Sequence, residues 1–177
     1  MAKINWQLDP AHSEIGFKVR HMMVSNVRGE FKSFDIQLAT EDHNMETAEI
    51  DFTADIESVN TKVEQRDNHL KSADFFDAQN HPKMTFKSTK VTKVGDGEFE
   101  VEGNLTIRGT TKPVTLHVEN QGVINDPQTG QHRTGFDITG KIKRLDFGLK
   151  YNPMLEAGGA VVGNEVKLVA NAEFLHD

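Results

Sequence analysis

The chain predicts an all-β fold: an extended, closed antiparallel β-barrel of about eight to ten strands, with one short helix near residues 61–73. Three observations carry this. Apolar and polar residues alternate with period two over long segments, as in strands with one buried face. Short polar or glycine-containing turns separate the segments. The alternation lapses in one long stretch, Ser58 to Phe86. The 177 residues are expected to form one domain, 1–177.

Ile4, Trp6 and Leu8 alternate in the first strand, and Asp9-Pro10 turns it. Ile15, Phe17, Val19 and His21 share one face of the second. Met22 to Asn26 reads as a loop. Val27, Gly29 and Phe31 hold odd positions, whereas Phe34, Ile36 and Leu38 hold even ones. A change of phase at Ser33 is what a β-bulge in a bending strand produces. Ala48, Ile50, Phe52, Ala54 and Ile56 alternate strictly with acidic or hydroxyl residues, so this strand has a wet face.

In the interruption, Thr61-Lys62-Val63-Glu64 has the form of a capping box, with Thr61 and Glu64 exchanging hydrogen bonds. Val63, Arg66, Leu70 and Ala73 then fall on one helical face. Phe75 and Phe76 follow, and Pro82 forces His81 into an extended conformation. Met84, Phe86 and Ser88 restart the β pattern, and Gly95-Asp96-Gly97 marks a hairpin. Phe99 to Ile107, Val114 to Val118, Phe136 to Ile142 and Val166 to Phe174 supply the remaining strands. Arg144 to Gly163 is irregular, anchored by Phe147, Leu149, Tyr151, Met154 and Leu155. Strands of about 10 to 14 residues would run roughly 33 to 46 Å. Sheets that long with one apolar face must close or stack, and a closed barrel leaves no exposed edge. A β-sandwich is the alternative.

Composition narrows the function. A net charge of −7 argues against a nucleic-acid partner. The absence of cysteine excludes disulfides and thiolate chemistry. No run of 18 apolar residues occurs, so no membrane-spanning helix is expected. MAKINWQLDP lacks the apolar core of a leader, and a cytoplasmic protein is expected. None of the eight histidines sits in an H-x-H or H-E-x-x-H pattern, so no metal is expected. His43 and His176 read as solvated, and His12, His69 and His81 as turn or loop residues. G-x-S-x-G and glycine-rich phosphate loops are both missing, and no catalytic residue is assigned.

A barrel of about eight strands either fills with its own side chains or holds one small ligand. Gly29, Ala48, Ala54, Gly103, Gly140, Ala170 and Ala172 are small residues on the inward face, and they would leave room. A long apolar tube suits a linear apolar chain. The candidate ligand-binding residues are Phe17, Val19, His21, Phe31, Ile50, Phe52, Leu70, Phe75, Phe76, Phe86, Phe99, Val101, Leu105, Phe136 and Ile138. Two alternatives stay open: a packed-core interaction module, and an enzyme on a lipid or quinone-like substrate with His12, His21 or His69 as acid–base.

Several blocks, in this order, resemble the YceI family of polyisoprenoid-binding, lipocalin-like proteins. They are Trp6 to Ser13, Phe17 to Val24, Val27 to Phe31, Ser58 to Thr61 with Arg66 to Asp77, Gly103 to Val114, and Arg144 to Gly148. The resemblance implies a barrel that binds, stores or transports a long-chain isoprenoid or similar amphiphilic lipid. It implies no catalysis and no cofactor beyond a bound isoprenoid or isoprenoid quinone. Many relatives work in the periplasm, and family members are often homodimers.

Overall fold

The period-two alternation folds into strands that close on themselves. A computed structural model describes residues 2–22, 24–152 and 162–177. Among these, the strands are β1 (Lys3–Leu8), β2 (Glu14–His21), β3 (Ser25–Phe31), β4 (Phe34–Glu41), β5 (Asn44–Asp55), β6 (Val59–Asn60), β7 (Lys83–Gly95), β8 (Glu98–Ile107), β9 (Thr110–Asn125), β10 (His132–Lys143) and β11 (Val162–His176). One α-helix, α1, spans Glu64–Lys71. Neighbouring strands run antiparallel in the closed ring β1-β4-β5-β7-β8-β9-β10-β11, with β11 returning to β1. The fold is thus a closed eight-stranded antiparallel barrel.

The three strands outside the ring extend its staves. β2 pairs with β11 between Val162 and Asn171, and β1 pairs with Phe174 and Leu175, so β1 and β2 form one stave broken at residues 9–13. β3 and β4 form the next, because β3 pairs with β2 and β4 with β1. β6 continues β5 and pairs with β3.

The first two breaks have a local cause, and the 3-10 turn Ile56–Ser58 makes the third, between β5 and β6. Pro10 has no N–H and cannot continue a ladder. A 3-10 turn at Pro10–His12 replaces the missing pairing. Ser13 Oγ donates to Asp9 O at 2.7 Å and accepts from the Glu173 N–H at 3.0 Å, while the Asp9 N–H donates to Glu173 O. The second break is Lys32-Ser33, where the sequence changes phase. The Lys32 N–H donates to Ser58 O, and Ser33 O accepts from Asp55, so the expected bulge is a short kink between two paired segments.

Inward positions follow the alternation. Ile36, Phe52 and Phe86 are successive partners across three strands, as are Phe34, Ala54 and Met84. At the end where β4 turns into β5, Trp6 is buried and its Nε1 donates to Thr40 Oγ1 at 3.0 Å. The longer strands run from 10 residues in β8 to 16 in β9, slightly beyond the expected length.

The helix departs from expectation at its start. α1 begins at Glu64, and no side chain caps it. Lys62 takes a left-handed φ of 68°, which breaks the geometry a capping box needs. Thr61 is tied instead to Asp67, whose Oδ1 accepts from the Thr61 N–H at 2.7 Å and from its hydroxyl at 2.6 Å. One carboxylate answers two donors. Arg66 completes the knot, donating from Nε to Thr61 Oγ1 and from Nη2 to Thr61 O. Val63 and Ala73 are exposed, so Leu70 alone carries the helix's apolar contact with the core. No helix among the described residues is long and apolar enough to cross a membrane.

Candidate functional site

The barrel is not filled. Its inward side chains leave an apolar cavity of about 200 Å³ beneath the segment 61–82. A second void of about 60 Å³ lies toward the Trp6 end. Ile36, Ile50, Val101, Val118 and Ile138 line both, so the two spaces lie end to end along the barrel. An apolar cavity of about 150 Å³ already stays dry and takes up small apolar guests.

The cover is built from α1 and the tight turns after it. The Phe76 N–H donates to Leu70 O and the Ala78 N–H to Lys71 O, which folds Ser72 to Ala78 back against the helix. Asp77 adopts a positive φ within this turn. Arg108, in the β8–β9 turn, donates from Nη1 to Ala73 O at 2.7 Å and to Phe75 O at 2.8 Å, and so pins the cover to the rim. Phe75 is buried edge-on against His69 and Tyr151. Phe76 meets Phe31, which meets Phe17, so an aromatic chain runs from the cover down the wall.

Arg144 holds the rest of this rim. It is 4% exposed and lines the main cavity. Its guanidinium donates to the backbone carbonyls of Leu149, Tyr151, Val162 and Gly163. Burial lowers its pKa, since desolvation disfavours the charged form. Its five N–H donors in a fixed fork suit this task, binding together the two flanks of the β10–β11 connection. Met154 and Leu155, read as anchors of this connection, lie outside the described residues.

Twelve of the candidate residues line the main cavity: Phe17, Val19, Phe31, Ile50, Phe52, Leu70, Phe75, Phe76, Phe86, Val101, Leu105 and Ile138. Phe99 and Phe136 line the smaller void. His21 lines neither; it pairs with Ser25 and Val162 at the strand ends. Sequence reading missed Ile15, Ile36, Leu116, Ile142 and Leu168, each inward on a strand already recognised by its alternation, and it missed Arg144. A charged residue next to an irregular segment carries no signal that it turns inward.

The space does not come from the glycines. A Cβ on Gly29 would stand 2.4 Å from the Phe17 ring, and one on Gly103 would stand 2.4 Å from Phe86. Leu116 occupies the corresponding place at Gly140. These three positions seat large side chains flat against the wall, and the cavity is the volume left between them.

Arg144 is the one ionisable residue that lines either space among the described residues, and the ion-paired groups lie outside both. Asp9 Oδ2 accepts from His12 Nδ1 at 2.8 Å and from Arg133 Nη1 at 3.1 Å. The Asp9 hydrogen bond raises the pKa of His12 above its ordinary 6.5, and the same bond lowers that of Asp9 below 3.8. Arg133 also pairs with Asp126 at 3.0 Å and tethers the β9–β10 turn. His69 meets Asp74 at 2.8 Å on the cover. Neither His12 nor His69 lines the cavity.

Residues 6–174 match the YceI-like domain. A UPF0312 protein of Staphylococcus epidermidis is 42% identical over 177 residues, covering all of this chain and 99% of that one. The crystal structure of the Campylobacter jejuni YCEI protein is 34% identical, with a TM-score of 0.78 and 97% of each chain covered. A polyisoprenoid binding domain from Saccharophagus degradans shares the fold, with a TM-score of 0.68 at 15% identity, over 97% of this chain and 98% of that one.

Proposed function

We propose that this chain, which belongs to the YceI-like domain family, is a non-enzymatic carrier that holds the apolar chain of a long isoprenoid or similar amphiphile inside its barrel. The observation that carries this reading is the elongated apolar space between the cover and the Trp6 end. Burial of apolar surface drives binding, at about 25 cal/mol per Å². Branched and aromatic walls with no hydrogen-bonding pattern select for apolarity and slenderness, and not for one head group. The Saccharophagus degradans domain, described as polyisoprenoid binding, supports the chemical class. The cover residues Leu70, Phe75 and Phe76 close over the chain, and the polar end of the ligand lies at the rim near Arg144.

The test is mass spectrometry of an organic extract of the purified protein, paired with binding of a fluorescent prenyl probe. An apolar chain in the extract is expected, together with saturable probe binding that Ile138→Phe weakens. An extract without lipid and probe binding indifferent to Ile138→Phe would remove the reading.

A further inference from the structure

At the barrel end opposite the cover, three histidines from separate parts of the chain meet. His43 lies in the β4–β5 turn, and His132 opens β10 directly across from His176 at the end of β11. His43 and His176 bring their Nε2 atoms to 2.9 Å. The His132 and His176 rings stack at 4.6 Å, and those of His43 and His132 meet at 5.1 Å. One nitrogen from each of the three lies within 4.8 Å of those from the other two. His43 is exposed, as expected, and His176 is half-buried, and the topology closes the two into one group with His132. Sequence spacing could not show this, because the three residues stand 89 and 44 positions apart, as 132 − 43 and 176 − 132 give.

From this geometry we propose that His43, His132 and His176 form a three-histidine site for a late first-row divalent cation such as Zn²⁺, with the remaining coordination position open to solvent.

The hydrogen bonds prepare the ligands. His176 Nδ1 lies 2.7 Å from the main-chain oxygen of Asp177, which can only accept, so Nδ1 carries the proton. In the neutral ring the lone pair is then on Nε2, facing His43. A metal-binding histidine is usually oriented this way, its other N–H given to a carbonyl or carboxylate. His43 is the donor in the metal-free contact, and moving its proton to Nδ1 frees a second lone pair with no change in net charge. Two imidazoles on a tetrahedral zinc at its ordinary bond length stand about 3.3 Å apart, so the observed pair needs to open by only a few tenths of an ångström. His132 turns its ring inward to complete the set. Its Nδ1 is shielded from solvent and has no hydrogen-bond partner, and a buried polar atom without a partner is rare. Trp6, edge-on to His176 at 4.5 Å, closes the inner side, so the ion would sit at the tip of the barrel, away from the apolar cavity.

Among the described residues, the other two clusters of potential ligands, Asp9-His12-Glu173 and Glu98-His117-Glu119, each offer a single imidazole. Arg133 already occupies the first.

The experiment uses the full chain without an added polyhistidine, titrated calorimetrically with Zn²⁺ and spectroscopically with Co²⁺. One equivalent should bind, chelator should remove it, and Co²⁺ should develop the visible bands of a four-coordinate site. His43→Gln keeps a donor toward His176 Nε2 and should fold as before, yet bind about tenfold or more weakly. His117→Ala should bind as the parent does. Failure to saturate at micromolar metal would overturn the site, as would His43→Gln binding like the parent. Neither result bears on the lipid cavity, which the prenyl probe reports separately.

Discussion

Gly103 shows what a single residue does in this wall. Its missing side chain lets the Phe86 ring lie against the strand, with Lys87 O also within 2.6 Å of where a Cβ would stand. Gly103→Ala should therefore lower stability by about 1–3 kcal/mol, the usual cost of overpacking, read from urea unfolding. The alternation shows that Gly29, Gly103 and Gly140 face inward. It does not show whether a ring or a void takes their place, because that depends on the side chain across the strand. Arg144 was illegible for a related reason: its four carbonyl partners are set by backbone that only the folded loop brings together. Arg144→Met would leave those carbonyls without donors. It should cost about 3 kcal/mol or more in thermal or urea unfolding, and Arg144→Lys should recover only part, since an ammonium cannot span the fork. His12 carries a pH dependence. Its raised pKa means its contribution is complete below about pH 6.5 and is lost as pH rises through the raised value. Asp9, whose pKa is lowered, contributes above about pH 3.8 and loses that contribution as pH falls through the depressed value. In urea midpoints measured from about pH 5 to about pH 9, the parent should lose stability above its His12 transition, and His12→Ala should be flatter there.

The cover is the element whose position was most legible and whose fastening was least so. Lost alternation, a three- and four-residue apolar spacing and Pro82 all marked a helical insertion between Ser58 and Phe86. The fastening depends on contacts that no local pattern encodes. Asp67 reaches back six residues to Thr61, and Arg108 reaches the carbonyls of Ala73 and Phe75 from a different turn. Phe75 and Phe76 press on Tyr151 and Phe31, so their loss uncouples the cover from both sides of the rim. Replacing both by Ala should speed release of a bound prenyl probe in stopped-flow displacement. Arg108→Ala should act in the same direction but less, because it loosens the pin and leaves the apolar seal. An off-rate unchanged in both would mean that ligand leaves by another route.

At the scale of the whole molecule, the barrel follows from strand alternation, short turns and the need to leave no edge. The eight staves were harder to count, because three of them are broken, at Pro10, at Lys32-Ser33 and at the 3-10 turn Ile56–Ser58. The cavity is least legible of all. Its volume is the small difference between the space the ring encloses and the side chains that enter it, and alternation fixes only which side chains those are. In the proposed function this space holds an apolar chain. Native mass spectrometry of the purified protein, before and after delipidation and again after adding a long-chain prenyl alcohol, tests it most directly. A one-to-one adduct is expected, and its occupancy should fall when Ile138→Phe narrows the passage between the two voids. A protein that carries no adduct in any of the three states, or an Ile138→Phe variant that binds as fully as the parent, would contradict it.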